Sequence, residues 1–163
     1  MAARAVDAET RAIRDDHGAI RLWLRMLATN RLVETRTRRL LQERFGTTLP
    51  RFDLMAQLER APRGLKMGEL SKRMMVTGGN VTGITDMLED EGLVERVADP
   101  ADRRAWVVRL TPAGRRAFTA MAQEHERWIV EAFGELTKRE MATMAGLLAR
   151  LKMHVRALEG NEA

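Results

Sequence analysis

The sequence predicts a mainly α-helical α+β fold with one small β-hairpin. Apolar residues recur at helical spacing through most of its 163 positions. Two short runs rich in β-branched residues, 93–97 and 105–110, flank a charged stretch, Asp-Pro-Ala-Asp-Arg-Arg, at 99–104. Two helical segments come directly before them. The order helix, turn, helix, strand, loop, strand is that of a winged helix-turn-helix, in which one helix enters a DNA major groove and the loop, or wing, lies beside it.

The N-terminal region predicts a long helix followed by a short one. Apolar residues recur near the helical period from about Ala12 to Phe45, although 34–39 is wholly polar. Gly46 then ends the helix where a left-handed residue is common. Pro50 suits the first turn of the next helix, because backbone N–H groups there make no hydrogen bond within the helix and the missing N–H of proline costs nothing. Four apolar residues give that helix a packed face: Phe52, Leu54, Met55 and Leu58.

A short helix at 68–74 precedes the candidate recognition helix at about 77–91. Thr77 suits its N-cap. The side that we expect to face the core is apolar and consists of Val81, Ile84 and Leu88. The opposite side is small and polar and can approach another surface closely; it consists of Gly79, Asn80, Thr82, Gly83 and Asp86.

Three glycines near the start of this helix make it intrinsically poor, since each interior Gly costs about 1 kcal/mol relative to Ala. Close approach of the helix backbone to DNA would explain Gly83 in particular. The alternative for Gly78 and Gly79 is that they only form the turn. Asn80 is the side chain best suited to bidentate readout of adenine, and Thr82 can contact a thymine methyl or a phosphate.

Two further long helices follow the hairpin. Thr111-Pro112 begins the first by the N-cap and N1 preferences, and a capping box at Thr137–Glu140 opens the second. Like the first helix, both carry an apolar side outside the winged helix-turn-helix. We expect these sides to bury each other within a homodimer that reads a pseudo-palindromic operator; the alternative is a monomeric core. The predicted organisation is an N-terminal dimerisation helix (1–46), a winged helix-turn-helix (47–111) and C-terminal dimerisation helices (112–163).

Composition excludes several kinds of chemical site. The chain has no cysteine, so disulfides, thiolate zinc sites and cysteine nucleophiles are excluded. Its three histidines are far apart in sequence, and Glu89, Asp90 and Glu91 are consecutive, so they do not converge on a helix. We therefore expect no catalytic residue, no metal and no cofactor, and no enzyme activity.

The net charge of +5 is concentrated at the N-terminus, where residues 1–46 hold ten arginines against six acidic residues. Residues 47–111 are balanced, with ten basic and ten acidic residues, but the basic ones between 51 and 73 precede an acidic cluster at 86–91. Local positive potential of this kind suits a DNA-binding face. No apolar run approaches the roughly 20 residues that span a bilayer, and the first residues lack an apolar leader. We expect a cytoplasmic protein that does not contact membranes.

From Arg21 to Leu158 the sequence resembles the MarR family of winged-helix transcriptional regulators. The residues that carry the resemblance lie in the stretches 49–55, 68–71, 80–85, 88–96, 99–104 and 110–114. The resemblance implies an obligate dimer and a wing in which Asp102 orients the loop. It also implies that Arg104 enters the minor groove and Arg103 meets phosphate. A narrow A·T-rich minor groove focuses negative potential, which a guanidinium exploits.

Family members usually repress, and a small ligand, often an aromatic acid, binds between the dimerisation helices and the winged helix. The stretches 44–55 and 75–83 are similar to the branch that answers hydroxycinnamoyl-coenzyme A thioesters. Arginines of the first helix could then bind the coenzyme phosphates; the alternative is that they are solvated or contact DNA. The expected effector site consists of Trp23, Arg36, Arg38, Arg39, Phe52, Met55 and Trp128, although each apolar member could equally be core.

The sequence therefore predicts a sequence-specific DNA-binding transcriptional regulator, a homodimeric repressor released from its operator by an aromatic acyl-coenzyme A or an aromatic acid. The alternatives are a non-specific architectural DNA-binding protein and a winged-helix adaptor that binds other proteins. Competition with random DNA distinguishes the sequence-specific regulator from the non-specific architectural protein. The sequence does not give the operator or the regulated genes.

Overall fold

The structure, a computed structural model, describes residues 8–75, 77–99 and 102–160, with the backbone alone for residues 8–16, 103 and 104. This part of the chain forms six helices and one two-stranded antiparallel sheet, so the predicted fold class is confirmed. In chain order the elements are α1 (Ala8–Phe45), α2 (Leu49–Glu59), α3 (Met67–Met74), α4 (Gly78–Asp90), β1 (Val94–Asp99), β2 (Asp102–Leu110), α5 (Pro112–Ala132) and α6 (Lys138–Gly160).

The chain divides into two compact units, one ending at His125 and the other beginning at Glu126. The first unit holds the helix-turn-helix and the hairpin, and the second holds the end of α5 and all of α6. The predicted three-part organisation stays a prediction. None of the described helices combines the length and the apolarity that a membrane span requires.

The core of the first unit lies among α2, α3, α4 and the hairpin. The predicted inner faces of α2 and α4 are confirmed, because their apolar residues are buried. Leu65 adds a two-way backbone bridge to Val108, with both N···O distances at 2.9 Å, which ties the loop after α2 to the sheet. Burial of each large apolar side chain in this core contributes roughly 1.5–3 kcal/mol to folding stability. The most deeply buried residues are Leu41, Leu54, Met55, Leu58, Leu70, Val81, Thr85, Leu88, Val94 and Val108.

The predicted helix boundaries are confirmed at several points. Gly46 has φ +63° and donates its N–H to the Gln42 carbonyl at 3.0 Å. The Thr111 hydroxyl accepts the N–H of Gly114 at 3.0 Å. A Cβ on Gly114 would lie 1.8 Å from the Leu93 carbonyl oxygen, so only glycine fits there. Glu140 and Thr137 exchange the two hydrogen bonds of a capping box.

The predicted wing loop at 99–104 is wrong in its extent. β1 continues to Asp99 and β2 begins at Asp102, so the two arginines at 103 and 104 have strand backbone. The pairing runs regularly from Val94 opposite Leu110, then shifts register between Ala98 and Asp99. A ladder is built from backbone groups and needs no apolar side chain, which is why a charged stretch can continue it.

Candidate nucleic-acid interface

The turn between α3 and α4 is built on a strained residue. Met75 ends α3 with φ +54° and ψ +38°, the left-handed region, and its side chain is 92% exposed. Thr77 follows in an extended conformation at the N-cap position of α4. The predicted N-cap position of Thr77 is therefore confirmed, but its side chain makes no cap hydrogen bond. The first N–H groups of α4 are thus left for backbone, water or a phosphate.

The outward side of α4 is the small, polar side that the sequence predicts. Gly79, Asn80, Thr82 and Gly83 are exposed, while Val81 between them is fully buried. The Thr82 hydroxyl donates to the Gly78 carbonyl at 3.1 Å. Its proton is therefore used within the helix.

Neither backbone conformation nor packing among the described residues requires glycine at the three glycine positions of α4. None of Gly78, Gly79 and Gly83 has a left-handed φ, and a Cβ on each would have nothing within 4 Å. The alternative in which Gly78 and Gly79 only form the turn is wrong, because both lie in α4 and the left-handed position of the turn is Met75. Space is therefore kept free on the outward side of the helix.

Ion pairs fix α4 against its neighbours. The guanidinium of Arg96, on β1, pairs with Asp86 and Glu89, and its backbone N–H donates to Glu89 at 3.1 Å. The hydrogen bond that Arg96 donates to the Asp86 carboxylate is the main reason why the pKa of Arg96 is raised. Arg51, on α2, pairs with Glu91 just after α4. Three carboxylates of the acidic cluster at 86–91 therefore pair with arginines of neighbouring elements, namely Asp86, Glu89 and Glu91.

The wing lies beside this helix. Asp102 is exposed at the start of β2. The backbone of Arg103 and Arg104 continues that strand, and the predicted roles of their side chains lie outside the described residues. Lys66, before α3, pairs with Asp99 at 3.3 Å and ties the end of β1 to the helix-turn-helix.

Three residues of this surface were missed by sequence reasoning: Arg96, Met75 and Trp106. Trp106 is 62% exposed on β2, opposite Ala98. The available signal was a single tryptophan in a predicted strand that also carries charged residues. Arg96 and Met75 gave no signal, since an ion pair between elements and a positive φ are tertiary facts.

Of the predicted effector residues, Phe52 lies in an aromatic and ionisable cluster. Its ring is 5.4 Å from that of Phe118 and 4.9 Å from that of His125, measured between centroids. Burial raises the pKa of Asp53, and the charges of His125 and Arg38 partly oppose this. Burial lowers the pKa of His125, and Asp53 partly opposes that. His125 thus contacts Phe52, and the charges of His125 and Arg38 both act on the Asp53 carboxyl group.

The predicted effector arginines Arg38 and Arg39 form ion pairs within α1, and the remaining predicted effector residues differ in exposure. Arg38 pairs with Glu34, and Arg39 with Glu43 at 3.1 Å, one turn away on α1 in both cases. Exposed pairs of this kind contribute only about 0.3–0.5 kcal/mol, so a phosphate can replace the acid. The remaining residues divide by exposure: Trp23 is exposed, Arg36 is half-buried with an interaction of its own, and Met55 and Trp128 are buried.

Met55 lines a cavity that is not lined by any of the other six predicted effector residues. This cavity of about 210 Å³ lies at the end of α1, the start of α2, the turn after α4 and the first half of α5. Arg51 lines it with a side chain that is 13% exposed. Its Nε is buried and has no hydrogen-bond partner among the described residues. Such an unsatisfied buried donor costs about 1–3 kcal/mol, so it calls for an explanation.

Comparison with known proteins agrees with the fold. The family model described as MarR matches residues 47–106. A MarR family transcriptional regulator from Silicibacter pomeroyi is 31% identical with a TM-score of 0.74, covering 86% of this chain and 97% of that one. A mutant MarR from E. coli complexed with operator DNA is 26% identical, covering 82% and 95%, with a TM-score of 0.71. The transcriptional activatory protein BadR of Rhodopseudomonas palustris is 28% identical over 149 residues, covering 89% and 84%.

Proposed function

Because the chain belongs to the MarR family of DNA-binding transcriptional regulators, we propose that it is a cytoplasmic homodimer that represses from a pseudo-palindromic operator until a small effector releases it. The observation that carries the DNA-binding assignment is the outward side of α4. It is exposed, polar and free of side-chain bulk, because its glycines, which nothing in the described part of the chain requires, carry no side chain. The relative found on operator DNA supports the same assignment.

We assign the major-groove contacts to α4. Asn80 reads adenine through its amide, which can donate and accept together. Thr82 meets a thymine methyl through its own methyl group, because its hydroxyl proton is held by Gly78. Gly79 and Gly83 let the helix backbone come close to the DNA, and Thr77 lies where the helix start meets a phosphate.

The wing supplies the minor-groove contacts in this proposal. Arg104 enters the groove, Arg103 contacts phosphate and Asp102 orients the tip. The pair Lys66–Asp99 and the Arg96 cluster support this role, because they fix the hairpin and α4 in one body. Two contacts held at a fixed spacing are what a regulator of this class needs in order to read shape as well as base edges.

The homodimer rests on apolar surface that one chain leaves uncovered. α6 has no buried residue, and exposed apolar side chains also occur on α1, among them Leu22 and Trp23. Surface of this extent marks an interface. A second copy of this chain suits it best, since a two-fold pair presents two α4 helices to two half-sites. The exposed large apolar residues of α6 are Met141, Met144, Leu147, Leu148, Leu151, Met153, Val155 and Leu158.

We propose an aromatic acyl-coenzyme A as the effector, with an aromatic acid as the second candidate. The proximity of Arg38 to the Phe52–His125 cluster supports the first, because an aromatic acyl group and a phosphate-binding cation would lie in reach of one ligand. The weak helix pairs of Arg38 and Arg39 leave both available for phosphates. The expected site keeps Trp23, Arg36, Met55 and Trp128 as further members.

The test is operator binding by fluorescence anisotropy with an excess of random duplex as competitor. The probe is a duplex that the protein selects from a random library. Asn80→Ala should cost about 1–3 kcal/mol and relax preference at one base position. Arg104→Ala should weaken binding while the circular dichroism spectrum is unchanged. Equal losses for Asn80→Ala on selected and random duplex would favour a non-specific architectural protein, and no binding to any duplex would favour an adaptor.

A further inference from the structure

We propose that an open groove on the face of the hairpin turned away from α4 binds a nucleoside di- or triphosphate. The groove measures about 820 Å³, and all of its lining residues belong to the first unit. Its volume is within the range of about 300–1,000 Å³ that is usual for small-molecule and cofactor sites. None of the seven predicted effector residues and none of the residues assigned to DNA contacts lines it. We call it the basal groove, because it lies at the base of the hairpin.

The position of the basal groove follows from the pairing of the two strands. Glu95 and Arg109, which both line it, are partners across β1 and β2 and therefore project from the same face of the hairpin. Arg96 projects from the other face, because successive side chains of a strand alternate. On that other face Arg96 pairs with Asp86 and Glu89 of α4. A ligand in the basal groove therefore leaves the outward side of α4 uncovered, and we expect the ligand and DNA to bind together.

The basal groove has a cationic end. Arg109 of β2 and Arg115 and Arg116 of α5 line it. Arg116 is exposed and forms no ion pair in the part of the chain that the structure describes. Arg109 pairs with Glu95 at 2.8 Å, and Arg115 pairs with Glu59, at the end of α2, also at 2.8 Å. These pairs are partly exposed and contribute little stability, so phosphate oxygens can compete with both glutamates. Guanidinium groups bind phosphate with two parallel N–H donors.

One side of α5 extends the basal groove away from this cationic end. Pro112, Arg116, Thr119 and Gln123 are three or four residues apart and all line the groove. Since a helix rises about 1.5 Å per residue, Gln123 lies about 10 Å along the axis from Arg116. Its amide can donate and accept hydrogen bonds together, which suits the edge of a nucleobase. The apolar lining residues are Pro62, Leu110, Pro112 and Ala120.

This division into a cationic end and a neutral end restricts the ligand. A bare phosphate or oligophosphate would contact only the arginines, and an uncharged nucleoside would contact only the apolar wall and Gln123. A nucleoside with two or three phosphates contacts both ends, because its phosphates and its base lie at opposite ends of one molecule. The arginines supply most of the affinity, and the neutral end distinguishes a nucleotide from other polyanions.

Isothermal titration calorimetry of the full chain tests the site, with ATP and GTP as probes, at constant ionic strength and without divalent cations. At least one of the two nucleotides should bind, with one site per chain. Adenosine and guanosine should not bind detectably, and inorganic tripolyphosphate should bind about tenfold more weakly than the nucleotide. If neither nucleotide binds, or if tripolyphosphate binds as tightly, the nucleotide site is overturned.

Two arginine variants locate the bound nucleotide. Arg116→Gln removes an exposed cation and should weaken nucleotide binding about tenfold, the usual loss for one charge-assisted contact. Arg39→Gln makes the same change of charge on α1, where the expected effector site lies, and should leave nucleotide binding unchanged. The reverse result would mean that the nucleotide binds to the arginines of α1, and it would overturn the basal groove as the site.

Variants of two neutral lining residues test the two ends of the groove separately. Thr119→Glu places a carboxylate one turn from Arg115 and Arg116 and should abolish nucleotide binding, whereas Thr119→Gln, of the same size and uncharged, should keep most of it. Both variants lose the same hydroxyl bond to the Arg115 carbonyl, so they differ only in charge. Gln123→Leu should weaken nucleotide binding several-fold and leave tripolyphosphate binding unchanged. Equal behaviour of the two Thr119 variants, or an equal effect of Gln123→Leu on both ligands, overturns the proposed arrangement.

The last measurement repeats the nucleotide titration on the protein bound to its selected operator duplex. The affinity should be the same as without DNA, because the basal groove and α4 lie on opposite faces of the hairpin. Displacement of the nucleotide by the duplex would assign the three arginines to the DNA surface and overturn the proposal. Failure of the protein to bind any duplex would overturn the proposed function instead, since the titrations without DNA do not depend on it.

Discussion

The helix-turn-helix and α6 differ in whether their apolar residues are covered. In the helix-turn-helix Leu54, Leu70, Val81 and Leu88 are all 0% exposed. α6 also carries an apolar pattern but buries none of it, with exposures from 37% at Met141 to 65% at Met153. The same helical periodicity thus has two outcomes. It specifies which side of a helix is apolar, and the presence or absence of a second layer in the same chain decides whether that side is covered.

The largest expected effect comes from placing charges on the exposed apolar side of α6. Leu147→Asp with Leu151→Asp places two charges on the uncovered apolar side and should convert the dimer to a monomer of about the 18.5 kDa chain mass. Operator affinity should fall with it, because one α4 reads one half-site. Sedimentation velocity gives the mass. Thr143→Asp, which changes a polar exposed position of α6, is the control and should stay dimeric.

The next effect breaks the first unit from within. Leu88→Ala removes a fully buried side chain of α4 and should cost about 2–5 kcal/mol of unfolding free energy. The loss should be the same at low and high protein concentration, because the core that it damages belongs to one chain. Leu158→Ala, on the exposed part of α6, should show a loss that depends on concentration. Urea denaturation at two protein concentrations decides, and equal behaviour of both variants would remove the distinction.

This contrast explains how far the sequence could lead. Periodicity, the Thr111 and Thr137 caps and the left-handed Gly46 are local, so the helices and their buried sides could be predicted. The position of the charged residues in the hairpin could not, because strand length depends on backbone pairing across the ladder. The same holds for the site: the outward side of α4 follows from its buried side, whereas Arg51 beside a cavity and the Arg96 pairs require the tertiary structure.

Met75→Gly should sharpen the comparison within the first unit. The left-handed conformation costs a non-glycine residue about 1–2 kcal/mol, which glycine avoids. Glycine also loses more conformational entropy on folding than methionine does, and this loss offsets part of the gain. The net effect should be a stabilisation of about 0.5–1 kcal/mol in thermal unfolding. Met74→Ala, in α3 beside it, is a control without a positive φ and should not stabilise. A Met75→Gly variant that is less stable would mean that the exposed side chain contributes contacts to the fold.

The smallest expected effect is a pH dependence at the end of the first unit. Burial holds the pKa of His125 below its ordinary 6.5, so the unfolded chain binds the proton more readily. Stability from this residue is complete above pH 6.5 and is lost as the pH falls through the lower pKa of the folded state. Asp53 has the opposite effect on stability, because burial raises its pKa above 3.8 and a falling pH then favours the folded state, but this effect occurs at lower pH.

His125→Gln should therefore flatten the fall in unfolding free energy between about pH 7 and pH 5. His154→Gln, exposed on α6, should keep the wild-type profile. If both variants retain it, the burial of His125 beside Phe52 is not what ties stability to pH.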